Sequence, residues 1–399
     1  MKKRIIFVTE ALWIGGIETA LVNLLRRMDY DKYDVTCLAL RGSLEMADRI
    51  HPKCRLLAAD RDRTITFTEP YKFSRLYHLT EHAENPSRLH QTMMWATPAI
   101  RWLENRLYIR YIREQMKGEH FDACIIYSDR AAETAVRAIN ADRYLMFYHH
   151  GAMRREYHDE VAYRKADRII TVSGFVERQL RQFRPKYADK MMTLHNLTDV
   201  DGIRAKAQAP LDNVFEDAKF HIVSCGRVSR EKGMDLAVEA CAKLVEMGHD
   251  NIHWWIIGGG PEFQKLRDQV AACHLEDHMT LLGMQDNPYP YIRRADLYVQ
   301  PSRFEGYPMT VLEALVLGKP IVSTDNGGAG EMLTEGVTGT LCPISSEGIA
   351  QAVHDLLNDQ TLLNQMRRNV ENTDFESQNR AVITELERLM ICETNRYTK

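Results

Sequence analysis

Short runs of apolar residues alternate along this chain with longer stretches in which apolar positions recur every three or four residues. In the first half the runs fall at Arg4–Val8, Asp34–Leu40, Asp122–Tyr127, Tyr144–Tyr148 and Arg168–Val172. In the second they fall at Phe220–Cys225, His253–Ile257, Thr280–Leu282, Leu297–Gln300 and Pro320–Ser323. Runs that are apolar throughout predict strands buried on both faces of a parallel sheet. Between them, Ile17–Met28 places Ile17, Ala20, Leu21, Leu24, Leu25 and Met28 on one helical face. Met234–Met247 repeats that spacing until Gly248 closes it. Strand–helix alternation in both halves predicts an α/β protein with two Rossmann-like parallel-sheet domains. Its 399 residues are too many for one ordinary domain and suit two of roughly 200 residues. Leu197–Asp217 is polar and holds Pro210, so the linker is expected near 199–217, with domains at 1–198 and 199–379.

Composition narrows the class. Apolar residues make up 45% of the chain, enough for two packed cores. Eight cysteines lie singly, with no C-x-x-C pair, which argues for a reducing compartment and against structural zinc or a disulfide frame. The apolar start of MKKRIIFV ends at Thr9–Glu10, too short for a signal segment, and nothing approaches the ~20 apolar residues that cross a bilayer. A cytoplasmic location is expected. Residues 1–200 hold 33 Lys and Arg against 26 Asp and Glu, a balance of +7, while the rest hold 19 against 29, or −10. The first half is therefore expected to meet something anionic. Residues 61–117 break the strand–helix pattern, and from Arg88 to Lys117 six basic and two acidic residues interleave with aromatics. Two readings stay open. One is a helical insertion capping the first sheet, with Trp102 and Leu103 buried. The other is an amphipathic surface for anionic lipid headgroups on the inner face of a cell membrane.

Candidate chemistry concentrates in two segments. In SRFEGYPMTVLEALVLGKP (302–320), Pro301–Ser302 ends a strand and Pro308 suits a first helical position. Met309–Leu317 then has helical spacing until Gly318 and Pro320. The amides of Gly306, Tyr307, Met309 and Thr310 thus belong to a helix N-terminus and carry partial positive charge. Glu305 lies just before it, and Glu313 lies on the helix with its side chain leaning back toward that end. Such convergence suits a polyhydroxyl ligand carrying phosphate. A solvated loop glutamate and an ordinary helix-surface glutamate form the plainer reading. In GRVSREKG (226–233), Arg227 and Lys232 lie in a loop between a strand and a helix, the chemistry of a diphosphate cradle.

The two segments, in this order, resemble the retaining glycosyltransferases of family 4, which have the GT-B fold of two Rossmann-like domains facing across a cleft. WIGGIE (13–18) is similar to that family's Gly-Gly-x-Glu loop, and HHG (149–151) lies where the family keeps a histidine. IIGGGPE (256–262) and LLGMQDNPYPYI (281–292) resemble the strands and turns beside the nucleotide base. The resemblance implies a hexose moved from a nucleotide-diphosphate sugar, UDP-linked by preference, to a hydroxyl of a glycan or polyprenyl-diphosphate-linked acceptor, in surface-polysaccharide assembly. It also implies that Arg227 and Lys232 hold the diphosphate without a metal ion, Glu313 the ribose, and Glu305 with the 306–309 amides the sugar. Gly226, Gly258, Gly283 and Met284 would line the donor site, with Gly15 and Gly16 approaching from the first domain. Arg380–Cys392 is the expected last helix, returning within 380–399 to the first domain.

His150 ends the run Tyr144–Tyr148 and is expected to project into the cleft and hydrogen-bond the sugar, with His149 the weaker rival because alternate strand residues face opposite ways. His195–Asp199 resembles the family's Asn-Gly-x-Asp segment except that Leu197 stands in place of the glycine, so Asn196 carries over weakly. No nucleic acid and no resident cofactor are expected. Of the D-x-D strings at 29–31, 60–62 and 199–201, only Asp60 and Asp62 follow an apolar run. GGGPEF (258–263) has Phe263 where a dinucleotide fingerprint needs its third glycine. A sugar-nucleotide epimerase of the same fold would not explain the two glutamates beside GRVSREKG, and a silent sugar-nucleotide-binding protein would differ only in lacking transfer.

Overall fold

The computed structural model describes residues 2–41, 44–59, 105–150, 153, 160–211, 214–215 and 219–391. Among the described residues thirteen strands build two sheets, and every pairing within them is parallel. The first sheet holds β1 (Lys3–Thr9), β2 (Tyr33–Ala39), β3 (Arg55–Ala58), β4 (Phe121–Ile126), β5 (Ala141–Tyr148), β6 (Arg168–Thr171) and β7 (Met191–Thr193), in the order β3-β2-β1-β4-β5-β6-β7. The second holds β8 (Phe220–Cys225), β9 (Ile252–Ile257), β10 (Met279–Gly283), β11 (Leu297–Gln300), β12 (Ile321–Thr324) and β13 (Gly339–Cys342), in the order β10-β9-β8-β11-β12-β13. Strand order reverses between β1 and β4 in one sheet and between β8 and β11 in the other. A crevice opens at such reversals beyond the carboxyl ends of the strands, where ligands of doubly wound sheets bind.

Five of the helices bear on that crevice and its surroundings: α1 (Gly16–Arg27), α2 (Gly174–Phe183), α3 (Met234–Glu246), α4 (Met309–Val316) and α5 (Phe375–Ile391). Val311, Leu312, Ala314, Leu315 and Val316 of α4 are all buried. Burying each large one contributes about 1.5–3 kcal/mol, so the N-terminus of α4 is firmly placed. Helix α5 starts five residues before the expected Arg380, and it packs against β4 and β5 of the first sheet. Two contacts fasten its start there: Arg27 to Glu376, and the Asn379 amide to the Thr198 carbonyl at 2.9 Å.

The structure corrects three local expectations. Pro308 is not the first helical residue; it is the extended residue before α4, and Met309 begins the helix. The expected linker contains a helix, Val200–Lys206, capped by Asp199 and held by burial of Val200 and Ile203. The strands β3, β7 and β13 were not expected. Residues 60–104 lie outside the described residues, so the expectations for Asp60, Asp62, Trp102 and Leu103 do too. Residues 105–115 are helical and bury Tyr108, Ile109 and Ile112, with Met116 just beyond, in the first-domain core. Arg106, Arg110 and Arg113 lie on the opposite, exposed face. No helix among the described residues is long and apolar enough to cross a membrane.

Candidate active site in the interdomain cleft

The loop after β8 and the loop after β11 meet across the second sheet's reversal point. Lys232 donates to both oxygens of Glu305, at 2.8 and 2.9 Å. Glu305 is buried, and its Oε1 also accepts from Ser302 Oγ at 2.7 Å and Gln300 Nε2 at 3.2 Å. The Gln300 amide oxygen in turn accepts from Tyr298 Oη at 2.9 Å and Thr310 Oγ1 at 3.1 Å. A buried carboxylate needs this many donors to offset its lost hydration. Arg227 stands exposed at the start of the same loop, and the buried Ser229 hydroxyl has no hydrogen-bond partner among the described residues. Gly233 adopts φ +64, and a Cβ there would lie 2.0 Å from the Pro301 carbonyl oxygen. Only glycine lets the Lys232 loop close onto the strand end that carries Glu305.

Glu313 lies one helical turn into α4, buried, with Tyr289 Oη donating to it at 3.2 Å. Burial pushes its carboxyl up to about 7, against the pull of the Tyr289 hydrogen bond and of Lys206. Tyr289 belongs to the 281–292 segment, so Glu313 faces the turn after β10. There the strand ends are knit together: Gly226 N–H donates to the Ile257 carbonyl at 2.9 Å, and Gly258 N–H to the Gly283 carbonyl at 2.8 Å. A Cβ on Gly258 would sit 1.9 Å from the Gly226 carbonyl oxygen, which requires glycine there. Met284 is 79% exposed beside Gly259, an apolar arm at the cleft edge.

The first domain faces this cluster with its own reversal point. The Gly15–Gly16 loop follows β1, and a Cβ on Gly16 would lie 3.7 Å from Met309 Cγ across the cleft. Glu18 is raised above the ordinary carboxylate range by burial, with Glu10 adding and Arg227 of the other domain pulling it back. Glu10 pairs with Arg41 at 2.9 Å and Arg130 at 3.3 Å, bridging the loops after β1 and β4. His150 Nε2 lies 3.3 Å from Asp129 Oδ1. His149 is buried against Tyr127 and Phe147, and burial lowers its imidazole to about 3. The two histidines thus separate as strand alternation predicts, the buried one neutral and the other beside a carboxylate. Asn196 has a buried amide oxygen without a partner among the described residues, and Leu197 is core.

The family model "Glycosyltransferase Family 4" matches residues 14–201, and "Glycosyl transferases group 1" matches residues 208–373. The two halves of the chain thus match, in order, the two domain models of a family 4-like glycosyltransferase. Among its relatives, the alpha-D-kanosaminyltransferase of Streptomyces kanamyceticus is 27% identical over 52% of this chain and 55% of its own. The lipopolysaccharide core biosynthesis mannosyltransferase LpsB of Rhizobium meliloti is 29% identical over 57% of this chain and 67% of its own. The matched stretches thus span between about half and two thirds of these relatives' own length. The Anabaena HepE structure in complex with UDP superposes with a TM-score of 0.69 at 16% identity, covering 97% of this chain and 100% of that one, a likeness of fold.

Lys232 and Glu305 meet at the second sheet's reversal point, Arg227 lies in the loop after β8, and Gly306, Tyr307, Met309, Thr310 and Glu313 follow β11, with Gly226, Gly258, Gly283 and Met284 along the adjoining strand ends. Gly15, Gly16 and His150 belong to the facing domain. Sequence reasoning missed Gln300 and Ser302, which hold Glu305, and Asp129, which holds His150. A fully buried glutamine at the end of an apolar strand was the available signal for the first pair. Among the other D-x-D residues, Asp29 accepts backbone N–H groups of its own turn and Asp199 caps a helix.

Proposed function

We propose that this chain is a retaining hexosyltransferase that uses a nucleotide-diphosphate sugar, UDP-linked by preference, and a hydroxyl of a glycan or polyprenyl-diphosphate-linked acceptor. The observation that carries the reading is the Lys232–Glu305 pair across the second sheet's reversal point, with an exposed Arg227 in the same loop as Lys232 and the N-terminus of α4 four residues after Glu305. Arg227 and Lys232 would bind the diphosphate and stabilise the charge that grows on it as the glycosidic bond breaks. Glu305 fixes the ammonium in place and, with the Gly306–Met309 amides, faces the sugar. Glu313 would accept hydrogen bonds from the ribose hydroxyls. His150, oriented by Asp129, would hydrogen-bond the sugar from the first domain. The acceptor hydroxyl then attacks the face that the diphosphate is leaving, and its proton passes to a departing phosphate oxygen, so no side chain need form a bond to the sugar.

Relatives support the setting: LpsB is named for lipopolysaccharide core synthesis, and a Campylobacter jejuni relative is named as acting on a diphospho-undecaprenol. Solved neighbours hold UDP and UDP-glucose. The basic face of Arg106, Arg110 and Arg113 suits an anionic membrane surface, which fits a lipid-linked acceptor and a peripheral cytoplasmic location. The test is a panel of nucleotide sugars with lipid-linked and soluble glycans, products resolved by mass and by anomeric NMR coupling. Transfer with retention supports the proposal; interconversion of the free nucleotide sugar would replace it with an epimerase.

A further inference from the structure

We infer that Glu331 is a positioning residue for transfer, a carboxylate of the second domain that clamps the N-terminus of α2 in the first domain and so holds the Glu305–Pro308 loop, the donor loop of the proposed reaction, in register with the facing domain. Glu331 ends a single turn, Ala329–Glu331, beyond β12. Its Oε2 accepts the Gly174 N–H at 2.7 Å, and its Oε1 accepts the Phe175 N–H. The third free amide of α2, that of Val176, is taken by the helix's own cap, Ser173 Oγ, at 3.3 Å. A ten-residue helix of one domain therefore has its first two orphan donors satisfied by a carboxylate of the other.

That clamp is joined to the donor loop by three independent contacts. Ser173 Oγ donates to the Gly306 carbonyl at 2.7 Å. Tyr307 stacks on His195 of the first domain at 5.0 Å and 16°. Gly327 adopts φ +90 with the Phe175 ring where a Cβ would project, at 2.5 Å, and a Cβ on Gly328 would sit 2.6 Å from the Gly306 carbonyl oxygen. The Gly327–Gly328 pair lets the Glu331 turn wedge between α2 and the donor loop. Arg178 at 3.6 Å and His195 at 3.8 Å flank the carboxylate from the first domain. Displacing Glu331 frees α2 with its Ser173 contact and removes the carboxylate beside His195, so both ties of Gly306 and Tyr307 to the domain carrying His150 loosen. Misplacing the reacting groups by about 1 Å costs on the order of 10²-fold in rate, so the clamp acts on turnover more than on nucleotide binding.

The inference rests on the proposed glycosyl transfer for its kinetic arm but not for its structural one. Glu331→Gln, Glu331→Ala and Ser173→Ala are compared with the full wild-type chain by turnover, nucleoside diphosphate calorimetry, thermal melting and small-angle scattering. The expected result is kcat lowered about 10- to 100-fold in Glu331→Ala and less in Glu331→Gln. UDP affinity should stay within about threefold, and scattering should show a wider distribution of domain separations. Scattering curves that superpose on wild type overturn the clamp whether or not turnover is seen. Loss of UDP affinity in step with kcat, or unchanged kcat with a lowered melting temperature, overturns the positioning role. If wild type transfers no sugar at all, the functional reading fails while the scattering still decides the clamp.

Discussion

Lys232 Nζ lies within 2.9 Å of both carboxylate oxygens of Glu305, two residues separated by 73 positions and supplied by loops on either side of a strand-order reversal. The pair is partly buried on one side and fully on the other, so neither member sits there cheaply without its partner. An ammonium fixed in this way would be in place for the diphosphate of the proposed donor before it arrives. The first domain repeats the arrangement, with Glu10 and Arg130 bridging its own reversal point.

Replacing Lys232 with Met should lower kcat by about 10²–10³, the usual cost of removing one preorganised charge stabiliser. It also leaves Glu305 buried with only Ser302 and Gln300 as side-chain donors. The melting temperature should therefore fall, and Lys232→Met with Glu305→Gln together should recover part of that loss. Steady-state kinetics and thermal melting of the single and double variants check this. Additive losses in both would show that the two side chains are not coupled.

Glu313 should make nucleotide binding pH-dependent. Its carboxyl is pushed up to about 7 by burial, and ribose hydroxyls donating to it favour the ionised form. Affinity should rise with pH up to about 7 and then level, with protons released on binding below that point. Because the folded value lies above the ordinary 4.5, the native state loses stability to this group as pH rises from there through about 7. Glu313→Gln should remove both effects and cost ~1.5–3 kcal/mol of nucleotide affinity above pH 7. Calorimetry in buffers of different ionisation enthalpy checks it, and an identical pH profile in the variant would exclude Glu313 from the ribose.

Much of this arrangement was legible in the sequence, and the exceptions share physical causes. β8 and β11 fall where their apolar runs predict, because central strands must be apolar on both faces. The three strands that escaped, β3, β7 and β13, are all sheet edges, three or four residues long and half-exposed in part. An edge strand pairs on one side only and needs no continuous apolar run. The polar stretch after Asp199 looked like linker because its helix buries just two apolar side chains, Val200 and Ile203. Glu331 was invisible for another reason. Its partners Gly174 and Phe175 are backbone amides more than 150 positions away, and no spacing pattern records them.

If Arg227 and Lys232 supply the positive charge as proposed, transfer should need no divalent metal. Exhaustive EDTA treatment should leave turnover within about twofold of the untreated enzyme, since two cationic side chains can neutralise the leaving diphosphate. Activity lost to EDTA and restored by Mn²⁺ or Mg²⁺ would assign that charge to an ion instead.

The exposed row of Arg106, Arg110 and Arg113 predicts salt-sensitive binding to anionic vesicles. Each basic residue near an anionic surface contributes about 1 kcal/mol, over a Debye length of roughly 8 Å at physiological salt. Tyr108, Ile109 and Ile112 of the same helix are buried in the core and Leu107 is its exposed large apolar residue among those described, so charge should outweigh insertion. Co-sedimentation should therefore weaken with salt and with removal of the three arginines. Equal binding to neutral and anionic vesicles would refute the electrostatic surface.

Whether Arg227 and Lys232 form a diphosphate site is decided by calorimetry of UDP, GDP and ADP with the wild-type chain and with Arg227→Ala/Lys232→Ala. At least one nucleoside diphosphate should bind wild type, and the double variant should lose about 10²-fold or more in affinity for it, two charge-assisted contacts having gone. Equal affinity in the two proteins, or no binding of any of the three to wild type, would contradict it.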